Sequence, residues 1–100
     1  MKVISVKVLR EFWKNHADAE QPLKSWYEEA NKASWGSPAD VKARYPKASI
    51  IANNRIVFNI KGNAYRLIVS VAYRTQNIYI KFIDTHAIYD TIDATTVDRN

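Results

Sequence analysis

The residues best suited to chemistry in this chain are one histidine near its C-terminal end and the cations and phenols that surround it. His86 is followed by Tyr89 at the spacing of one helical turn. Lys61 and Arg66 stand on either side of the dipeptide Gly62-Asn63. An imidazole or a phenol can transfer a proton, and fixed cations can neutralise charge that grows on phosphoryl oxygens. The set is therefore suited to acid–base chemistry on a polyanion.

Other kinds of catalytic site are excluded or disfavoured by what the sequence lacks. There is no cysteine, so there is no thiolate nucleophile, disulfide or sulfur-ligated zinc site. His16 and His86 do not have metal-ligand spacing, and there is no glycine-rich phosphate loop. We therefore expect no metal and no cofactor. His16 falls at the end of a predicted helix and is interpreted as structural. One imidazole then remains, and a second proton transfer would need Tyr89, Lys61 or a substrate group.

Three runs of alternating apolar and polar residues predict the strands that position these side chains. They extend from Arg55 to Lys61, from Ala64 to Arg74 and from Ile78 to Phe82, with turns at Gly62-Asn63 and Gln76-Asn77. Antiparallel pairing would give a sheet with one apolar face and one polar face that bears cations and no carboxylate. The expected members of the polar face are Arg55, Asn59, Lys61, Arg66, Arg74, Tyr79 and Lys81.

Amphipathic segments before this sheet predict helices that cover its apolar face. The first spans Lys7 to Asn15, and the second begins after an Asp18 cap and ends near Trp35-Gly36. Ser37-Pro38 has the form of a helix start, and Pro46 ends that short helix. The expected fold is α+β, a single domain over residues 1–100 with its N-terminal helices packed on one face of an antiparallel sheet.

Shorter elements complete this prediction. Residues 2–6 and 48–52 are expected to form strands, the latter turning at Asn53-Asn54, where positive φ is tolerated. A brief helix is expected within residues 84–93, followed by a loose tail over residues 94–100. No apolar run approaches about 20 residues, and the N-terminal residues are too few and too polar for a signal peptide. We therefore expect a soluble cytoplasmic protein.

Basic residues are concentrated in the part of the chain that forms the predicted sheet. Between Val41 and Ile83 there are eight Lys and Arg and no Asp or Glu, whereas the other residues include seven basic and ten acidic ones. This asymmetry favours a polyanionic partner, most simply nucleic acid, over a solvated basic surface without a partner.

Metal-free cleavage of RNA is one reaction that these side chains can perform. The 2′-hydroxyl must be deprotonated in line with phosphorus, charge on the phosphoryl oxygens must be neutralised, and the 5′-oxygen must receive a proton. One histidine, several cations and one or two tyrosines can fill these roles, and an aromatic ring can also stack on an unpaired base.

Three segments of the chain closely resemble the HigB type of RelE-like toxin from bacterial type II toxin–antitoxin systems. They are residues 9–30, 48–73 and 80–97, with the most specific matches in NRIVFNIKGN (residues 54–63) and THAIYD (residues 85–90). The resemblance implies a RelE-like fold and an mRNA endonuclease that cuts messages in the ribosomal A site. It also implies inhibition by a helix-turn-helix antitoxin of the HigA type, through which alone the protein would reach operator DNA.

The resemblance also implies roles for individual residues. Arg66 takes the place of the phosphate-binding arginine on the middle strand, and His86 that of the arginine or histidine after the last strand. Tyr89 resembles the C-terminal aromatic residue, and Lys61 and Asn59 lie near the lysines of relatives, although Asn59 is not a lysine. The expected catalytic residues are thus His86, Arg66, Lys61 and Tyr89. The expected substrate-binding residues, for mRNA and 16S ribosomal RNA, are Arg55, Asn59, Tyr79, Arg74 and Lys81.

Two alternative functions are compatible with the same residues. One is a non-catalytic module that binds RNA or the ribosome, and the other is an inactive toxin that acts only with its antitoxin in repression. Lys42, Arg44 and Lys47 fit ribosome anchors and ordinary solvated helix charges equally well. The antitoxin could inhibit by covering the basic face or by adding bulk that cannot enter the A site.

Overall fold

The computed structural model describes residues 1–99. The helices are α1 (Val6–Asn15), α2 (Glu20–Lys32), α3 (Pro38–Arg44) and α4 (His86–Tyr89), with a 3₁₀ turn at Ala17–Ala19 before α2. The strands are β1 (Lys2–Ile4), β2 (Ser49–Ile51), β3 (Arg55–Ile60), β4 (Tyr65–Ala72) and β5 (Asn77–Thr85). The predicted α+β class is confirmed.

The two long helices pack on the sheet through apolar side chains spaced three or four residues apart. In α2 these are Leu23, Trp26 and Ala30, all buried, and in α1 Leu9 is fully buried. Asp18 was predicted to cap α2, but Ala19 occupies the N-cap position after the 3₁₀ turn. The Asp18 carboxylate instead accepts a hydrogen bond from Tyr65 of β4. The helix ends at Lys32, earlier than predicted.

The sheet has five strands in the order β1-β5-β4-β3-β2. The β2–β3, β3–β4 and β4–β5 pairs are antiparallel, as predicted, whereas β1 lies parallel to β5. The sheet is therefore mixed. The β2–β3 turn has positive φ at both Asn53 (64°) and Asn54 (57°), which confirms the predicted turn and explains why asparagine suits both positions. β4 is the central strand, so its side chains have neighbours on both sides.

A bulge in β5 changes which face its side chains occupy. Ile68 of β4 pairs with Phe82, but the next residue, Val69, pairs with Ile80, so Lys81 is an extra residue in the ladder. Phe82 consequently lies on the opposite face from Ile80, whereas strict alternation predicted both on one face. The reason is that an inserted residue reverses the alternation beyond it.

Phe82 joins Val57 and Ile68 in a second apolar cluster on the face away from α1 and α2, here called the second face. The C-terminal segment, residues 86–99, covers this cluster with Tyr89, Ile92, Ala94 and Val97. The Arg99 backbone amide donates to the Lys81 carbonyl at 2.9 Å. The prediction of a loose tail is therefore wrong for residues 94–99. The same segment removes part of the second face from solvent.

Candidate active site

The predicted histidine and tyrosine lie on one short helix at the end of β5. The Thr85 side chain accepts a hydrogen bond from the Ile88 amide at 3.3 Å and caps α4. The His86 amide donates to the Ala64 carbonyl at 3.1 Å, which attaches the helix to the turn between β3 and β4. This attachment brings His86 to the end of the sheet where β4 begins.

The His86 imidazole stands at the surface. Its side chain is 50% exposed, and Nε2 lies 3.4 Å from Oδ1 of Asp90 one turn further on. It is not packed among the N-terminal helices. The ring is therefore accessible to a ligand, with the Asp90 carboxylate beside it.

The Arg66 guanidinium is held in a defined position on the same edge of the molecule. Nη1 donates to the Asn63 carbonyl at 3.1 Å and to the Tyr65 carbonyl at 3.3 Å, and Nη2 donates to Oδ1 of Asn63 at 3.0 Å. Its Cζ atom lies 5.8 Å from the centre of the Tyr89 ring, within the range of a cation–π contact. No carboxylate within residues 1–99 forms an ion pair with Arg66. Its charge is therefore oriented by neutral acceptors.

Tyr89 connects Arg66 to the second apolar cluster. Its ring is half-buried and lies 6.4 Å from the Phe82 ring, in a tilted arrangement. Within the part of the chain that the structure describes, its hydroxyl has no hydrogen-bond partner. A phenol fixed by its ring with an unengaged hydroxyl is suited to donate or accept a proton.

The alternation predicted Lys61 on the same face as Arg66, but Lys61 does not lie on the second face. It lies in the β3–β4 turn with φ of 51°, and its ammonium group donates to Oδ2 of Asp18 at 2.6 Å on the side of the helices. The Tyr65 hydroxyl donates to the other oxygen of the same carboxylate. The bonds from Lys61 and Tyr65 lower the pKa of Asp18, and the bond to Asp18 raises the pKa of Tyr65. Asn59 does lie opposite Arg66, in the β3–β4 ladder.

Arg55 was predicted to be exposed on the binding face, and this prediction is wrong because the side chain is buried. The residue is 8% exposed, and its Nη1 donates to the carbonyls of Ala94 at 3.1 Å and Val97 at 2.6 Å. The C-terminal segment therefore uses this cation as an anchor. A buried guanidinium needs such partners, because leaving a buried charge unpaired is costly.

The other predicted binding residues lie apart from Arg66. Arg74 is in the β4–β5 turn, about 25 Å along the strand from Arg66 at the usual rise per residue. Tyr79 pairs with Ser70 in mid-sheet, and the Lys81 ammonium lies 5.9 Å from its ring and 3.1 Å from the Asp98 carboxylate. Only a large partner could contact these three residues and Arg66 at the same time.

Carboxylates occur on the second face, which was predicted to have none. Asp84 lies opposite Arg66 in the β4–β5 ladder, and its Oδ2 lies 3.3 Å from Nη1 of Arg99. The bulge at Lys81 placed it there, so the alternation read from the sequence could not identify it. Groups of three or more His, Cys, Asp or Glu residues that could hold a metal ion do not occur among residues 1–99. No helix in that range is long and apolar enough to cross a membrane.

Comparison with known proteins decides the family. Residues 19–92 match the family model HigB_toxin, described as the RelE-like toxic component of a toxin–antitoxin system. The chain belongs to this family. It is 26% identical over 96 residues to the mRNA interferase toxin HigB of Escherichia coli (strain K12), a match that covers 94% of this chain and 92% of that protein. The mRNA interferase HigB of Shigella flexneri matches equally well.

The family assignment confirms the resemblance found in the sequence and implies an antitoxin partner for this HigB-family chain. Sequence reasoning missed Asn63, which holds Arg66, and Asp90, which faces His86. Asn63 precedes Arg66 by three residues in a turn, and Asp90 follows His86 by four residues, one helical turn. These short spacings offered a signal for each. Asp18 offered none, because it meets Lys61 only through the tertiary fold.

Proposed function

We propose that this protein is a metal-independent mRNA endonuclease that inhibits translation by cutting messages in the ribosomal A site. The observation that carries the proposal is the arrangement at the β4–α4 edge: an accessible imidazole, a phenol and an oriented guanidinium held by the same turn and helix. Family membership and the mRNA interferases among its relatives point to the same activity.

In the proposed reaction, the 2′-oxygen of one nucleotide attacks the adjacent phosphorus, and the bond to the 5′-oxygen of the next nucleotide breaks. The 2′-hydroxyl proton goes to a base, and the 5′-oxygen receives a proton from an acid, which leaves a 2′,3′-cyclic phosphate and a 5′-hydroxyl. His86 makes one of these transfers and the Tyr89 hydroxyl makes the other. Arg66 neutralises the phosphoryl oxygens as their charge grows.

The remaining expected residues take supporting roles in this proposal. Asn59 contacts the message beside Arg66, since the two are paired across β3 and β4. Lys61 holds the adjacent turn in place through its ion pair with Asp18. Arg74, Tyr79 and Lys81 contact 16S ribosomal RNA, because their distance from Arg66 suits a partner that extends along the sheet.

The proposed partner is an antitoxin of the HigA type with a helix-turn-helix, through which the complex binds operator DNA. It keeps the toxin off the ribosome in the cytoplasm. The edge that carries His86 is exposed in the isolated toxin, so the antitoxin can inhibit by covering this edge or by adding bulk elsewhere. The two modes differ in whether the antitoxin contacts His86. A crosslink from His86→Cys to the antitoxin is expected only if the edge is covered.

The test is a single-turnover cleavage assay on programmed ribosomes. His86→Gln is expected to lower the cleavage rate about 100- to 10,000-fold, the usual contribution of a positioned acid or base, while ribosome binding is retained. Arg10→Ala is the control, because Arg10 is an exposed cation on α1, away from the proposed site. A wild-type protein that binds ribosomes and never cuts the message would refute the proposal.

A non-catalytic RNA-binding module is the second candidate. It is favoured by the single imidazole at this edge, because metal-free cleavage needs two proton transfers and the other imidazole, His16, lies at the end of α1, stacked on Phe12. In that case the wild-type protein would show no cleavage, and Arg66→Ala would weaken binding to RNA. Loss of the saturated cleavage rate with unchanged binding would support the endonuclease instead.

A further inference from the structure

A groove of about 590 Å³ adjoins the proposed active site and shares Asn59 and Asn63 with it. One wall is formed by the end of α3 and the turn that follows, and the other by β3 and the β3–β4 turn. Its lining residues are Arg44, Tyr45, Pro46, Lys47, Ala48, Phe58, Asn59, Gly62 and Asn63. A volume in this range suits a ligand of nucleotide size, since small-molecule sites span about 300–1,000 Å³.

The charge of the groove is positive, because Arg44 and Lys47 line it and no carboxylate does. Arg44 is already oriented: Nη2 lies 2.5 Å from Oε2 of Glu29, and Cζ lies 4.9 Å from the centre of the Tyr45 ring. Lys47 is exposed and forms no ion pair within residues 1–99. Lys47 is therefore the cation at the rim that remains free for a phosphate.

Hydrogen bonds fix the wall of the groove that carries Lys47. The Lys42 ammonium donates to the Pro46 carbonyl at 2.6 Å and to the Ala48 carbonyl at 2.8 Å. The Tyr45 hydroxyl donates to Oε2 of Glu29 at 2.7 Å. Burial and this bond raise the pKa of Tyr45, so the phenol stays neutral. The groove is thus preformed by contacts of its own wall, which lowers the cost of ordering a ligand there.

The floor of the groove offers apolar surface together with hydrogen-bonding groups. The Tyr45 and Phe58 rings meet edge to face at 5.1 Å, and Asn59, an exposed residue, also lines the groove. At Gly62, with φ of 60°, a Cβ would meet nothing within 4 Å, so the backbone there is open to an approaching ligand. Apolar surface with a few amide groups is the environment in which unpaired bases are held and distinguished.

The groove is continuous with the proposed active site through Asn63. This residue lines the groove, and its Oδ1 accepts the hydrogen bond from Nη2 of Arg66 at 3.0 Å. Asn59 lines the groove and lies opposite Arg66 in the ladder. A single strand whose scissile phosphate rests on Arg66 would therefore reach the groove with a neighbouring nucleotide.

We propose that the groove between α3 and the β3–β4 turn is a subsite for one nucleotide next to the scissile phosphate, with Asn59 contacting its base and Lys47 its outer phosphate. The proposal rests on the proposed endonuclease function and adds to it a source of sequence preference. It assigns to Lys47 and Asn59 effects on binding and selectivity, and to neither an effect on the bond-breaking step.

Cleavage of a message library with randomised nucleotides around the cut site tests the subsite. Asn59→Ala is expected to reduce the preference at one flanking position about 5- to 100-fold, as expected when a base loses a hydrogen-bonding partner. Lys47→Ala is expected to raise KM about 3- to 10-fold with the saturated rate unchanged, because a removed phosphate contact weakens binding uniformly. The matched control is Lys14→Ala, an exposed lysine on α1. Wild-type preference and KM in both groove variants, together with loss of cleavage in His86→Gln, would overturn the subsite and keep the endonuclease.

A binding measurement tests the subsite without any cleavage. The probe is a mixed-sequence hexaribonucleotide with 2′-O-methyl groups, which cannot be cut by 2′-oxygen attack. Titration into the isotope-labelled protein is expected to shift the side-chain amide signals of Asn59 and Asn63 and the backbone amide of Gly62, and Lys47→Ala is expected to weaken the titration. Shifts confined to the His86 region would overturn the proposal. Equal shifts from inorganic phosphate alone would reveal only an anion site, and would also overturn it.

Discussion

The buried Arg55 provides the sharpest test of how the C-terminal segment is held. The guanidinium donates to two carbonyls of that segment at 3.1 and 2.6 Å, and the residue is 8% exposed. Hydrogen bonds from charged donors contribute about 1.5–3 kcal/mol each. Their sum is an upper limit, because the two carbonyls regain water when the segment detaches. We therefore expect Arg55→Ala to lower the free energy of unfolding by about 3 kcal/mol.

For a chain of this size, that loss corresponds to a fall in Tm of about 12–24 °C. Thermal unfolding followed by circular dichroism measures it. Hydrogen exchange separates local from global loss, since the Arg99 amide, bonded to the Lys81 carbonyl, should lose its protection first. Arg55→Met keeps much of the apolar stem and should recover part of the packing but not the segment's attachment.

The control is Arg10→Ala, an exposed arginine whose removal should change stability by less than about 0.5 kcal/mol. An Arg55→Ala protein with the wild-type Tm and a fully protected Arg99 amide would refute the reasoning. It would mean that the apolar contacts of Ile92 and Val97 hold the segment without the cation.

Three further outcomes are expected. Phe82→Ala should lower the free energy of unfolding by about 3–5 kcal/mol in urea titrations, because the ring is fully buried between the sheet and the C-terminal segment; a loss below about 1 kcal/mol would contradict its place there. Arg66→Ala should lower the saturated cleavage rate about 100- to 1,000-fold, and an unchanged rate on saturating ribosomes would remove Arg66 from the site. Asp18 has a pKa below its ordinary 3.8, so its carboxylate stabilises the fold above that pH and loses this effect as the pH falls through the lowered value. Asp18→Asn should therefore be less stable than wild type near about pH 6 and approach it as the pH falls below 3.8, and a difference in Tm that does not vary with pH would exclude this ion pair as the cause.

Most of the fold followed from local patterns. The period-two runs predicted β3, β4 and β5, the apolar spacing predicted α1 and α2, and the asparagine pair predicted the β2–β3 turn. These patterns succeed because each depends on neighbours a few residues apart. The candidate site was predicted in part: His86, Tyr89 and Arg66 do share one edge of the molecule.

The errors have a common origin in contacts between residues far apart in the chain. Lys61 turns to Asp18, 43 residues away, and Arg55 turns to Val97, 42 residues away. Nothing in the local sequence distinguishes a cation that faces solvent from one that is buried against a distant carbonyl. The bulge at Lys81 had the same effect, because one inserted residue reversed the faces of Phe82 and Asp84.

The sequence alone determined the α+β class, the segregation of basic residues and the family likeness, since these depend on residue types and short spacings. Only the tertiary structure decided which cations are free. Burial and ion pairing are properties of surfaces that meet in space, so the C-terminal segment could remove Arg55 from the expected binding face while the β3–β4 turn left Arg66 beside Tyr89.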